Sequence, residues 1–281
     1  MDPPPFGTLI DAAALQRLAR PFVLLDCRFD LSDPGYGARA YAAGHLPGAQ
    51  RADLEHDLSG RPDGRNGRHP LPERAAFAAT VARWGIAPDV AVVAYDAEGG
   101  PYAARAWWLL RWLGHDAVAV LDGGLAAWTA VGGALETAVP PPAHGATPYP
   151  ARPQPAMPTI DADALASALG RVTLVDARAS ERFRGEVEPI DPVAGHIPGA
   201  MNRVFKQNLG ADGRFLSAAA LRTAFEAFGA LPADVVHQCG SGVTACHNLL
   251  AMEHAGLVGS VLYPGSWSEW CSDPSRPVAR G

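Results

Sequence analysis

The chain has 281 residues, 48% of them hydrophobic, and 23 Lys plus Arg against 29 Asp plus Glu give a formal net charge of -6. That length holds one large or two ordinary domains. The acidic balance, with Lys206 as the single lysine and no basic cluster interleaved with aromatics, argues against a nucleic-acid partner.

No apolar run approaches the roughly 18 residues that span a membrane. The opening Met1-Asp2-Pro3-Pro4-Pro5 has neither the basic region nor the apolar core of a signal peptide. The four cysteines, Cys27, Cys239, Cys246 and Cys271, form no CxxC pair and no Cys/His metal pattern. The expectation is a cytoplasmic protein with reduced thiols, no metal and no membrane partner.

In chain order, short apolar runs alternate with helical patterns. Residues 22–25 read as a strand, and the chain then continues as Asp26-Cys27-Arg28. The segment Ala43-Gly44-His45-Leu46-Pro47-Gly48-Ala49 is a turn. Strands are expected over 90–94 and 117–121, with a helix over 103–113 stopped by Gly114. From Pro140 to Pro158 the chain is proline-rich and poor in large aliphatics, the composition of a semi-extended linker. The second half repeats the first: strands over 172–175, 235–237 and 258–262, and a helix over 243–254 followed by Gly256.

The repetition extends to motifs. Leu24-Leu25-Asp26-Cys27-Arg28 returns about 150 residues later as Leu174-Val175-Asp176-Ala177-Arg178. The Gly-His turn returns as Ala194-Gly195-His196-Ile197-Pro198-Gly199-Ala200. The Leu121-Asp122-Gly123-Gly124 block with Trp128 matches the segment from Leu262 to Gly265 with Trp270. Domains are expected at 1–140 and 157–281, joined by a linker over 141–156. The strands lack polar alternation, as in sheets buried on both faces, so each domain reads as α/β with a mostly parallel sheet flanked by helices. Two such domains form an adequate monomer.

The most informative segment is Gln238-Cys239-Gly240-Ser241-Gly242-Val243-Thr244-Ala245. It follows a strand and precedes a helix, where ligands of open α/β sheets bind. Gly240 and Gly242 let the loop curl, and Ser241 and Thr244 add hydroxyls. Amide groups converging at a helix start hold anions and favour a thiolate. Cys239 is therefore the candidate nucleophile. The first half has Asp96 in the aligned place, so only the second half can run thiol chemistry and the first is a scaffold. Cys246 reads as core and Cys27 as structural. His45 and His196 share the same turn, which makes a turn-holding role their default, and Asp26 and Asp176 read as ties between loops. A phosphatase loop would need an arginine after Thr244, where the chain has Ala245, Cys246 and His247.

These residues resemble the two-domain sulfurtransferases of the rhodanese superfamily. The resemblance covers both Asp-x-Arg strand ends, both Gly-His-x-Pro-Gly-Ala turns, the cysteine loop and the terminal Gly265-Ser266-Trp267-Ser268-Glu269-Trp270. The loop looks like the 3-mercaptopyruvate version, since thiosulfate-preferring members place basic residues after the cysteine. The resemblance implies a Cys239 persulfide, with the loop residues Gly240, Gly242, Val243 and Thr244 around the donor. It implies Arg182 as a grip on the donor's anionic group, and a thiol, thioredoxin-like protein or cyanide as acceptor. It also implies a Ser241–His45 pair, with Asp33 only nearby in sequence as a third member. No cofactor is implied. In the segment Glu188-Pro189-Ile190-Asp191, Ile190 stands where a second donor-binding arginine is expected.

Overall fold

A computed structural model describes residues 7–141 and 148–281; the opening Met-Asp-Pro segment and part of the expected linker, 142–147, lie outside the described residues. The chain folds into two compact units, and both are discontinuous in sequence. The first gathers Met1–Ser59, Pro72–Ala156 and Ala211–Phe215; the second gathers Gly60–Leu71, Met157–Gly210 and Leu216–Gly281. Residues 60–71, from the first half of the sequence, thus pack within the second unit.

The strands of the first unit are β1 (Leu9–Ile10), β2 (Phe22–Asp26), β3 (Gln50–Arg51), β4 (Ala91–Tyr95) and β5 (Val118–Leu121). Its helices are α1 (Ala12–Gln16), α2 (Tyr36–Ala43), α3 (Arg74–Arg83), α4 (Pro101–Leu113) and α5 (Gly124–Ala130). The sheet is parallel, in the order β1-β5-β4-β2-β3. Every residue of β4 is buried, as a run without alternation requires of a central strand. Helix α4 starts on Pro101 and ends at Gly114 with φ 103°, which only glycine adopts without strain. Its Ala103–Leu110 stretch is buried on all faces, so packing rather than amphipathicity holds it.

The second unit rebuilds the same plan. Its strands β6 (Thr173–Asp176), β7 (Met201–Asn202), β8 (Val235–Gln238) and β9 (Val261–Leu262) form a parallel sheet in the order β7-β6-β8-β9. A bridge from Thr159 to Leu262 takes the place that β1 has in the first unit. Its helices are α6 (Ala162–Ala168), α7 (Ser180–Phe183), α8 (Ala218–Glu226), α9 (Thr244–His254) and α10 (Ser266–Trp270). Leu174, Ile197, Val236, Tyr263, Trp267 and Trp270 pack into one buried cluster. Each large side chain so buried contributes about 1.5–3 kcal/mol. The α/β class read from the sequence is the observed one.

The duplicated motifs have duplicate structural work. Arg28 forks onto Asp26 and donates to the Gly44 carbonyl at 2.8 Å; Arg178 forks onto Asp176 and donates to the Gly195 carbonyl at 2.8 Å. In each unit the pair ties the central strand's end to the Gly-His turn. The histidines match too. His45 stacks on Tyr41 with centroids 3.9 Å apart and places Nδ1 2.8 Å from the Tyr41 carbonyl. His196 stacks on Phe183 at 3.8 Å and places Nδ1 2.8 Å from the Phe183 carbonyl. Each turn also forms an antiparallel bridge, His45 to Glu136 and His196 to Ala279.

Candidate active site

Strand β8 ends at Gln238, and Cys239 is the next residue, 2% exposed. Three backbone contacts fix it. Its amide donates to Ser266 Oγ at 3.1 Å, its carbonyl accepts from the Trp267 amide at 2.9 Å, and the Gly240 carbonyl accepts from the Ser268 amide at 2.9 Å. The loop then folds back at Gly242, where φ is 76° and a Cβ would stand 2.3 Å from the Pro264 carbonyl oxygen. Only glycine fits that approach. Thr244 opens α9 after Val243, its N-cap.

Ser266, which receives the Cys239 amide, has φ 55° and is the non-glycine residue with positive φ among those described. Its structural counterpart in the first unit is Gly124, with φ 54°. A serine in this region carries strain of about 1–2 kcal/mol. Its hydroxyl stays engaged, donating to the Tyr263 carbonyl at 3.0 Å while accepting from Cys239.

The first unit shows what such a loop holds. Asp96 follows β4 as Cys239 follows β8. Its carboxylate accepts the amides of Glu98 at 3.0 Å, Gly100 at 2.8 Å, Tyr102 at 2.9 Å and Ala103 at 3.0 Å. The Leu125 amide donates to the Asp96 carbonyl at 2.9 Å, just as Trp267 does to Cys239. The corresponding amides around Cys239 belong to Ser241, Val243, Ala245 and Cys246, and the last of them donates to the Val243 carbonyl at 3.0 Å. The folded-back loop at a helix start is thus a seat for an anion, filled by an aspartate in one unit and fronted by a thiol in the other.

Ser241 is 7% exposed, and its Oγ lies 2.8 Å from Nδ1 of His69, itself 5% exposed. This corrects the pairing expected from sequence. His45 has both ring nitrogens directed at backbone carbonyls of its own unit, Tyr41 at 2.8 Å and Ala138 at 3.2 Å, so its imidazole is spent on the turn. Asp33 pairs with the exposed Arg39 and is likewise engaged elsewhere. His69 lies in Gly67-Arg68-His69-Pro70-Leu71-Pro72; before α8 the second half has Gly213-Arg214-Phe215-Leu216, with phenylalanine where the first half has His69. That asymmetry within a duplicated sequence is the signal that could have found it.

Arg182, the expected donor grip, sits on the short α7. It binds Glu188 through Nε at 3.2 Å and Nη2 at 2.7 Å, and Asp191 through Nη2 at 3.1 Å. Asp191 also pairs with Arg68, so one carboxylate bridges two guanidinium groups. Burial lifts the Asp191 carboxyl above its ordinary range, with Arg68 opposing it. Burial would lift Glu188 too, but its bonds to Arg182 and to the Asp191 and Ile190 amides prevail and hold it low. Ile190 is 40% exposed.

The other thiols are poor nucleophiles. Burial, with Asp191 adding to it, pushes Cys271 up to about 11. Burial and the neighbouring carboxylates push Cys27 well up. Cys246 is fully buried, and its Sγ donates to the Gly242 carbonyl at 3.3 Å. Among the described residues no group of three or more His, Cys, Asp or Glu side chains could hold a metal ion. None of the described helices is long and apolar enough to cross a membrane.

The model of the rhodanese-like domain matches residues 11–131 and again 161–273. The chain belongs to the rhodanese family, as a two-domain sulfurtransferase. It is 53% identical over 272 residues to a Pseudomonas aeruginosa protein described as a probable 3-mercaptopyruvate sulfurtransferase, covering 94% of this chain and 95% of the relative. The human 3-mercaptopyruvate sulfurtransferase is 36% identical, covering 92% of this chain and 88% of its own. Among solved structures, the Escherichia coli 3-mercaptopyruvate enzyme SseA superposes with a TM-score of 0.77 at 29% identity, over 93% of this chain and 99% of SseA. A Mycobacterium tuberculosis protein provisionally described as thiosulfate sulfurtransferase SseB is 44% identical over 98% of this chain and 96% of the relative. This rhodanese thus has relatives named for both donors.

Proposed function

We propose that the chain moves a sulfane sulfur from 3-mercaptopyruvate to a thiophilic acceptor through a persulfide on Cys239. The observation that carries the reading is the placement of Cys239 at the mouth of an amide-lined loop whose duplicate holds a carboxylate on four amides. A persulfide anion has the charge that such a seat stabilises.

In the first half-reaction the Cys239 thiolate attacks the sulfur of the donor. An S–S bond forms, the donor's C–S bond breaks, and its electrons leave with the three-carbon fragment as the enolate of pyruvate. The proton of the donor's thiol ends on the enolate carbon. His69, through Ser241, stands where it can move that proton. In the second half-reaction a thiol, a thioredoxin-like protein or cyanide attacks the outer sulfur and regenerates the thiolate. Arg182 would hold the donor's carboxylate.

Thiosulfate is the second reading, favoured by the relatives named for it. The same thiolate takes the outer sulfur and sulfite departs with the electrons. No proton moves in that step, so the Ser241–His69 pair has no evident task there. A side-by-side kcat/KM for 3-mercaptopyruvate and thiosulfate, with cyanide and dithiothreitol as acceptors, decides between them. A higher value for thiosulfate would displace the first reading.

A further inference from the structure

Gly240, the residue after the nucleophile, is covered by two guanidinium groups from distant parts of the sequence. A Cβ at this position would lie 3.0 Å from Arg68 Nη2 and 3.6 Å from Arg182 Nη1. A side chain at position 240 would press on the Arg68 guanidinium, and the positive charge beside the nucleophile comes from residues 68 and 182. Arg68 is built into the loop by its backbone as well. Its amide donates to Ser268 Oγ at 3.0 Å, and the Ser268 amide donates to the Gly240 carbonyl at 2.9 Å.

The charges are layered. The side chains of Arg68 and Arg182 are 26% and 17% exposed, while Asp191 behind them is 3% exposed. Asp191 gives one oxygen to each guanidinium and so sets their spacing. Glu188 fixes Arg182 from a second side. Arg68 has no such second carboxylate, and its buried Nε has no hydrogen-bond partner among the described residues. A buried guanidinium N–H left unsatisfied is costly, and an anionic oxygen supplies what it lacks.

We propose that Arg68 receives the anionic group of the sulfur donor, jointly with Arg182, and that Asp191 positions the pair. The site would take a carboxylate or a sulfonate oxygen set, since either presents two acceptors to two guanidinium forks. It would do so although position 190, in the neighbouring segment, carries isoleucine. The inference rests on the sulfur-transfer reading above, and it makes Arg68 a determinant of donor affinity.

Steady-state kinetics of Arg68→Gln with each donor tests it, because Gln keeps much of the bulk and loses the charge. The expected result is a rise in KM of about 10-fold or more with kcat within about threefold, because an anion contact present throughout the reaction is uniform binding. Arg68→Lys keeps the charge without the fork and should fall between. It also serves if the Gln variant fails to fold. Equal KM values, within about twofold, in Arg68→Lys, Arg68→Gln and the parent overturn the proposal, as does a pure loss of kcat. Calorimetric binding of pyruvate and of sulfite to Cys239→Ser, with and without Arg68→Gln, separates this claim from the reading beneath it. If the parent loads sulfur from neither donor, the functional reading falls. If the two products bind equally well with and without Arg68, the guanidinium proposal falls by itself.

Discussion

Ser241 bonds His69 at 2.8 Å, while His45 directs both ring nitrogens at backbone carbonyls. Substitutions at the two histidines should separate chemistry from stability. His69→Ala is expected to lower kcat/KM for 3-mercaptopyruvate by about 10²–10⁴, the usual contribution of a positioned acid–base group. The loss with thiosulfate should be much smaller, since sulfite leaves without a proton transfer; equal losses with both donors would remove the proton-moving role. His45→Ala should cost about 1–3 kcal/mol in urea denaturation, the cost of leaving buried carbonyls unpaired, with turnover per folded molecule retained. The sequence hid this division because His45 sits in a visible motif, whereas His69 gains its meaning from a contact 172 residues away. The default of a turn-holding role for His45 and His196, argued from their symmetry, matches the geometry of both.

The two cradles make a natural comparison between elements. Asp96 caps the amides at the start of α4, so Asp96→Ala strands four donors, and a loss of about 1–3 kcal/mol is expected. A shift in the urea midpoint measures it, while sulfur loading of the folded protein should persist. At the other cradle, Ser266 accepts strain at φ 55° in order to hold the Cys239 amide. Ser266→Gly relieves that strain and Ser266→Ala keeps it, while both lose the hydroxyl. The alanine variant should therefore melt below the glycine variant, and both should load sulfur more slowly than the parent. A reversed order of Tm would mean that strain at this position is not the deciding effect. The central strands and the helices α4 and α9 were legible from apolar runs, helical spacing and the stops at Gly114 and Gly256. Of the four two-residue strands, β9 lies within the expected run 258–262, while β1, β3 and β7 were not legible, because so short a segment outside an apolar run has no periodicity and forms only when a neighbouring strand is already in place.

At the scale of the whole molecule, duplication was plain in the sequence, while the path of residues 60–71 into the second unit was not. That segment carries little apolar surface, so no hydrophobic pattern marks it, yet it delivers Arg68 and His69 to the loop. Stability should also have a marked acid limb. His237 is fully buried on β8, and burial, with Arg203 adding to it, lowers its pKa to about 3. In the unfolded chain the same group protonates near 6.5. Between those values the unfolded state binds the extra proton, so stability falls as pH drops from about 6.5 toward 3, at up to about 1.4 kcal/mol per pH unit. Between pH 7 and pH 5 the urea midpoint of the parent should therefore fall further than that of His237→Leu, and parallel pH curves would contradict the assignment.

The central claim is that sulfur passes through Cys239 and no other thiol. Mass spectrometry of the protein after brief exposure to 3-mercaptopyruvate, without acceptor, tests it most directly. The account predicts one added sulfur, mapped to the peptide bearing Cys239, removed by cyanide and absent in Cys239→Ser. Sulfur carried on Cys246 or Cys271, or turnover retained in Cys239→Ser, would contradict it.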